Sequence, residues 1–143
     1  MRVQQLSVFL ENKPGRLAAV TKALGEAGIN MRALCLADTS DFGVLRLIVT
    51  DPAAAVAALK AADFVTRLTD VIAVEVPDRP GGLSHIMEVL GAAGVAIEYC
   101  YAFCEKLRDN AMVIFRVEDI DKAVETLAAN GVQVVPSADV YSL

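Results

Sequence analysis

One histidine and three cysteines in 143 residues leave little side-chain chemistry to choose from. A lone His85 supports neither a serine–histidine–acid triad nor a histidine metal site, both of which need partners it does not have. Three cysteines do not make a disulfide framework. Cys100 and Cys104 stand four apart in a segment that reads as a strand, so at about 3.3 Å per residue their Cα atoms are roughly 13 Å apart. A disulfide needs less than about 7 Å, and a shared metal is excluded unless the segment turns. Buried, reduced cysteines are the expectation. Positive charge is also short: 13 Lys and Arg against 18 Asp and Glu give a net charge of −5. With no basic stripe either, a nucleic-acid partner is not expected.

Other signatures are missing too. There is no Gly-x-Gly-x-x-Gly and no P-loop, no Cys-x-x-Cys carrier loop, and no aromatic-and-basic RNA-binding pattern. No apolar run reaches the ~18 residues of a membrane span; the stretch from Val89 to Cys104 is broken by Glu98. The first residues lack the apolar core of a signal peptide. These absences lead to the expectation of a cytoplasmic protein with no metal, no cofactor and no membrane partner.

What the chain does have is an internal repeat. Asn12-Lys13-Pro14-Gly15-Arg16-Leu17 returns as Asp78-Arg79-Pro80-Gly81-Gly82-Leu83, and Leu24 to Ile29 returns as Leu90 to Val95, both at an offset of 66. Later the offset is 68, matching Val49 to Val117, Asp51 to Asp119 and Leu59 to Leu127. The two added residues belong in the loop 105–110, where insertion costs least.

Each copy reads as strand, helix, strand, strand, helix, strand. Leu6, Val8 and Leu10 alternate with Ser7 and Phe9, as in a half-buried strand. Pro14-Gly15 then opens a helix whose apolar face is Leu17, Val20, Leu24 and Ala27; Leu83, Ile86, Leu90 and Ala93 form its counterpart. Gly28 and Gly94 suit the left-handed residue after a helix. Strands follow at about 30–38 and 44–50, joined by a turn-rich loop, Thr39 to Gly43. Asp51-Pro52 is a helix start with a capping side chain, and Asp119 with Asp121 marks another. A short strand near 64–68 closes copy one; Val71 to Val76 begins copy two. The fold class is therefore α+β: two tandem ferredoxin-like βαββαβ units, 1–70 and 71–143, with antiparallel sheets and helices on one face. A lone copy of this size has a marginal core, and the join is short, so the copies are expected to pack as a pseudo-twofold pair. Exposed sheet edges suggest further association into a homo-oligomer.

The segment from Asn12 to Leu17, followed by Gly28-Ile29-Asn30-Met31, resembles the (Asp/Asn)-x-Pro-Gly-x-Leu … Gly-(Ile/Val)-Asn-(Ile/Met) signature of ACT domains. The segment from Asp78 to Leu83 with Gly94-Val95-Ala96-Ile97 is similar, except that Ala96 replaces the second Asn. The resemblance implies a regulatory module, not an enzyme, that binds an amino acid between paired ACT units and signals to an enzyme or regulator of amino-acid metabolism. It implies one site joining Asn12, Gly15 and Leu17 to Ala96 and Ile97, and another joining Asp78, Gly81 and Leu83 to Asn30 and Met31. The chemistry suits this role: a loop entering a helix offers backbone N–H groups and a favourable dipole to a carboxylate. Asn12, Asn30 or Asp78 could meet the ammonium, and Gly15 and Gly81 would let the backbone approach the ligand. Pro-Gly after a strand is also an ordinary turn. Two other functions remain open: a protein-interaction subunit of a biosynthetic enzyme with no ligand of its own, and a small enzyme on the same fold.

Overall fold

The computed structural model describes every residue except 39, 40, 106 and 107. The order is β1 (Val3–Glu11), α1 (Arg16–Glu26), β2 (Met31–Asp38), β3 (Phe42–Val49), α2 (Pro52–Ala61), β4 (Val65–Pro77), α3 (Gly82–Ala92), β5 (Ile97–Ala102), β6 (Asn110–Val117), α4 (Ile120–Ala129) and α5 (Ser137–Ser142). By internal contacts the chain divides into Gln4–Thr69 and Met1–Val3 with Asp70–Leu143. These are the first and second units below. The βαββαβ order occurs in both.

In the first unit the strands lie in the order β2-β3-β1-β4. β1 and β3 are antiparallel with Leu6 opposite Leu47 and Leu10 opposite Gly43; β2 and β3 are antiparallel with Leu36 opposite Leu45. One face of the sheet gives Leu6, Val8, Leu10, Leu45 and Leu47 to a core completed by Val20 and Leu24 of α1 and Ala55 and Leu59 of α2. Both helices therefore lie on that face. Alternation along the strands and the spacing of apolar residues along the helices meet in one cluster, the condition for a stable two-layer unit.

The second unit repeats this arrangement. β6 pairs with the second half of β4, Ile72 opposite Phe115 and Pro77 opposite Asn110, and with β5. Val74, Val76, Phe115 and Val117 meet Ile86 and Leu90 of α3 and Leu127 of α4. The register shifts between Met31 and Ala33 and again between Ile97 and Tyr99. A bulge conserved between the copies, 66 residues apart, independently supports the alignment of the repeat.

Four details differ from the sequence reading. The strands expected to close copy one and to open copy two are a single strand, β4, with the unit boundary at Thr69/Asp70 inside it. The last strand of copy two is reduced to the Val74–Val134 bridge, with Val135 N–H donating to Ala73 O at 2.8 Å. Pro136 follows, has no N–H for a ladder, and leads into the unexpected α5. Leu17 and Leu83 do not join the buried helix faces: each is 40% exposed. The cysteines are free but not buried. Cys100 and Cys104 are exposed, Cys35 is half-buried, and Cys104 lies beyond the end of β5.

Candidate ligand-binding loops

The loop between β1 and α1 is built from short backbone bonds. Lys13 N–H donates to Glu11 O at 2.8 Å and Arg16 N–H to Lys13 O at 3.3 Å; Ala19 N–H then donates to Gly15 O at 3.0 Å, opening α1. The loop before α3 repeats this atom for atom: Arg79 to Pro77 at 2.8 Å, Gly82 to Arg79 at 3.0 Å and His85 to Gly81 at 3.1 Å. Gly15 and Gly81 occupy the N-cap position with φ of 88° and 85°. An ideal Cβ at either would touch nothing within 4 Å. Glycine is needed here for its left-handed backbone, which costs an L-residue about 1–2 kcal/mol, and not for crowding.

The helix starts fall into two kinds. Asp51 caps α2 by accepting from Ala54 N–H at 3.0 Å, and Asp119 caps α4 by accepting from Lys122 N–H at 3.0 Å. The N-cap residues of α1 and α3 are glycines, which have no side chain to cap with. The N-cap residue of these two helices therefore supplies no carboxylate to the first-turn amides and the positive dipole end. Beside each uncapped end stands a large exposed apolar side chain, Leu17 or Leu83. Asn12 and Asp78 are exposed in the loops, and Asn12 N–H donates to Asp41 O at 3.2 Å. Glu11 pairs with Lys13 at 2.9 Å. That hydrogen bond, with the ammonium charge behind it, holds the Glu11 carboxyl below the usual glutamate range. Thr39 and Ser40, in the turn-rich loop between β2 and β3, lie outside the described residues.

Asn30 and Met31 are elsewhere. Asn30 Oδ1 accepts from Met31 N–H at 3.0 Å, and the Asn30 backbone bonds Thr50 in both directions. This is the turn role of an Asn after a helix. At the matching place in copy two, Glu118 N–H still donates to Ala96 O at 3.2 Å, but Ala96 offers no side-chain acceptor to Ile97. Met31 pairs with Val49 at one end of β3, whereas Glu11, leading into the loop, pairs with Phe42 at the other. Seven residues of strand separate the two ends by about 23 Å. Pro77 and Ile97 occupy opposite ends of β6 in the same way. No single unit brings its own loop and its own strand start together.

Sequence reasoning missed a difference between the loops. Arg16 in copy one lies over the Phe64 ring, 4.6 Å from its centroid. Its counterpart is Gly82, where an added Cβ would collide with Pro77 O. Phe64, which donates to Leu59 O, corresponds to Val132, which donates to Leu127 O. The only signal was the Arg-to-Gly change itself, and its meaning depends on a residue 48 positions away in the chain (Arg16 to Phe64).

A family model described as an ACT domain pair matches residues 1–143. The chain belongs to this family. ACT domain pairs are a regulatory domain type. Among solved structures, protein BT0572 from Bacteroides thetaiotaomicron is 43% identical, with a TM-score of 0.94 over 100% of this chain and 98% of that one. The regulatory subunit of aspartate kinase from Thermus thermophilus, in its ligand-free form, is 19% identical, with a TM-score of 0.62 over 88% of this chain and 91% of that one. E. coli aspartokinase III, in complex with lysine and aspartate, is 17% identical, with a TM-score of 0.55 over 91% of this chain and 31% of that one. The last two share the fold. No curated protein matches the chain. Among the described residues no helix is long and apolar enough to cross a membrane.

Proposed function

We propose that this ACT domain pair binds a free amino acid at its Pro-Gly loops and passes that occupancy to an enzyme or regulator of amino-acid metabolism. The observation that carries the reading is the contrast between helix starts: α2 and α4 begin at the capping residues Asp51 and Asp119, while α1 and α3 begin at Gly15 and Gly81, left-handed residues with no capping side chain. An α-carboxylate at such an end gains several N–H donors and the helix dipole. Leu17 and Leu83 offer apolar surface to the ligand's side chain, and the ammonium is assigned to Asn12 and Asp78. Each loop lies about 23 Å from its own strand start, so Asn30 with Met31 and Ala96 with Ile97 do not reach a ligand held by the loop of their own unit. The crystallisation of aspartokinase III with lysine and aspartate supports amino acids as the ligand class. Calorimetry with each of the twenty amino acids tests the proposal: one or more should give saturable heat that Gly15→Ala or Gly81→Ala weakens.

A second reading, an interaction subunit without a ligand, is favoured by one feature. Leu34 and Leu36 of β2 are 47% and 48% exposed, unpolished apolar surface of the kind that marks protein contacts. No amino-acid heat, together with capture of a metabolic enzyme by the full chain, would select it.

A further inference from the structure

The two copies diverge most sharply at one place within the second unit. A pocket of about 270 Å³ lies between the end of β4, the first turn of α3, the start of β6 and the turn after α4. Its polar lining comes from Glu75, His85, Asn110, Asn130 and Gln133. The repeat places Phe9, Ala19, Phe42, Ala62 and Val65 at these five positions in the first unit. The correspondence is structural as well. His85 and Ala19 donate to Gly81 O and Gly15 O; Asn130 and Ala62 donate to Leu127 O and Leu59 O, each at 3.1 Å; Pro77 faces Asn110 as Glu11 faces Phe42. Between Asn130 and Gln133, Gly131 has a φ of 71°, and its counterpart Asp63 has 63°. Five apolar side chains in one copy are thus five polar ones in the other. The stacked Arg16 and Phe64 have become Gly82 and Val132, so nothing of that bulk occupies the second unit's version.

The hydrogen bonds fix what this lining can recognise. Asn110 Nδ2 donates to Glu75 Oε1 at 2.6 Å, and Asn130 Nδ2 donates to Thr126 O at 2.8 Å. Both partners only accept, so both amides are oriented by them and their oxygens remain acceptors. With the Glu75 carboxylate, the site is rich in acceptors, and no Lys or Arg lines it. Glu75 and His85 are its only residues of metal-binding type, and among the described residues no group of three such side chains is placed to hold a metal ion. The volume is just below the usual range for ligand pockets and suits only a small molecule.

We propose that this pocket binds a small organic cation, an alkylammonium or alkylguanidinium, with Glu75 as its ion-pair partner and the Asn110 and Asn130 oxygens as acceptors. The site borders the loop before α3 through Pro77 and His85, but differs in chemistry from the proposed amino-acid site, because its ligand needs no carboxylate. Agmatine, which carries an amine and a guanidinium but no carboxylate, is the probe. Titrated calorimetrically into the full chain, it should bind saturably at one site. It should also shift the imidazole proton signals of His85, the one histidine. Glu75→Gln keeps an acceptor for Asn110 but removes the charge, and should weaken binding about tenfold or more with an unchanged melting midpoint. Val132→Phe, which restores the bulk of copy one, should weaken it as well. Absence of saturable heat, an unmoved His85 signal, or equal affinity in Glu75→Gln and wild type would overturn the proposal. Loss of amino-acid binding in Gly15→Ala and Gly81→Ala, with agmatine affinity intact, would confirm that the two sites are separate.

Discussion

The Arg16 guanidinium lies 4.6 Å from the centroid of the Phe64 ring, and its Nε is buried without a hydrogen-bond partner. The ring face replaces part of the hydration that burial removes from the cation, an arrangement worth about 0.5–2 kcal/mol. Phe64 is 6% exposed and joins the first unit's core. Phe64→Ala should therefore cost about 3–5 kcal/mol and Arg16→Ala about 1 kcal/mol. Urea denaturation of the single and double variants measures both. If the two effects add without coupling, the stack contributes nothing.

The glycines predict three different outcomes. At Gly82 an added Cβ meets the Pro77 carbonyl, part of the backbone that cannot swing aside. Gly82→Ala should lose about 1–3 kcal/mol. Gly81→Ala should lose about 1–2 kcal/mol through its left-handed φ alone. Gly25, inside α1 with open space around it, should gain about 0.5–1 kcal/mol as Ala. Thermal or chemical denaturation in which Gly81→Ala or Gly82→Ala loses nothing would show that the loop relaxes in a way this geometry does not allow.

Asp51 and Asp119 cap α2 and α4. Replacing either with Ala should cost about 1 kcal/mol and leave amino-acid binding unchanged. A large loss of ligand affinity in Asp51→Ala, with the fold intact by circular dichroism, would move the site away from the loops before α1 and α3.

Glu11 gives a pH signature. Its carboxyl is held below its ordinary value in the folded chain, first by the Lys13 hydrogen bond and then by the Lys13 charge. The ion pair's small contribution to stability is therefore present above the unfolded glutamate range and fades as pH falls through the lower folded value. A carbon-13 titration should find Glu11 ionised at a pH where ordinary glutamates are half protonated. Lys13→Met should return it to the usual range; no change would show that the pair is not formed in solution.

Much of the fold could be read from the chain because the two copies confirm each other. A Pro-Gly turn or a helix-ending glycine is weak evidence once, but 66 residues later the same residue types recur in the same order. The fused β4 was harder to see. Thr69-Asp70 breaks the apolar alternation, but neither residue breaks a strand, and pairing with neighbouring strands carries the backbone through. Leu17 and Leu83 share a helical face with buried residues and are still 40% exposed, because helical spacing assigns residues to a face without saying how deeply each is covered. The loops themselves were visible as motifs. Why they contain glycine, and which helix starts are capped, depended on φ values and hydrogen bonds that no residue pattern specifies.

If the ends of α1 and α3 at Gly15 and Gly81 receive the carboxylate of an amino acid, neutralising that carboxylate must cost affinity. Calorimetry with the best-binding amino acid and with its methyl ester tests it most directly. The ester keeps the ammonium and the side chain but loses the anionic charge. Saturable binding of the acid, weakened about tenfold or more in the ester, is the expected result. Equal affinity for the two, or no heat from any of the twenty amino acids, would contradict it.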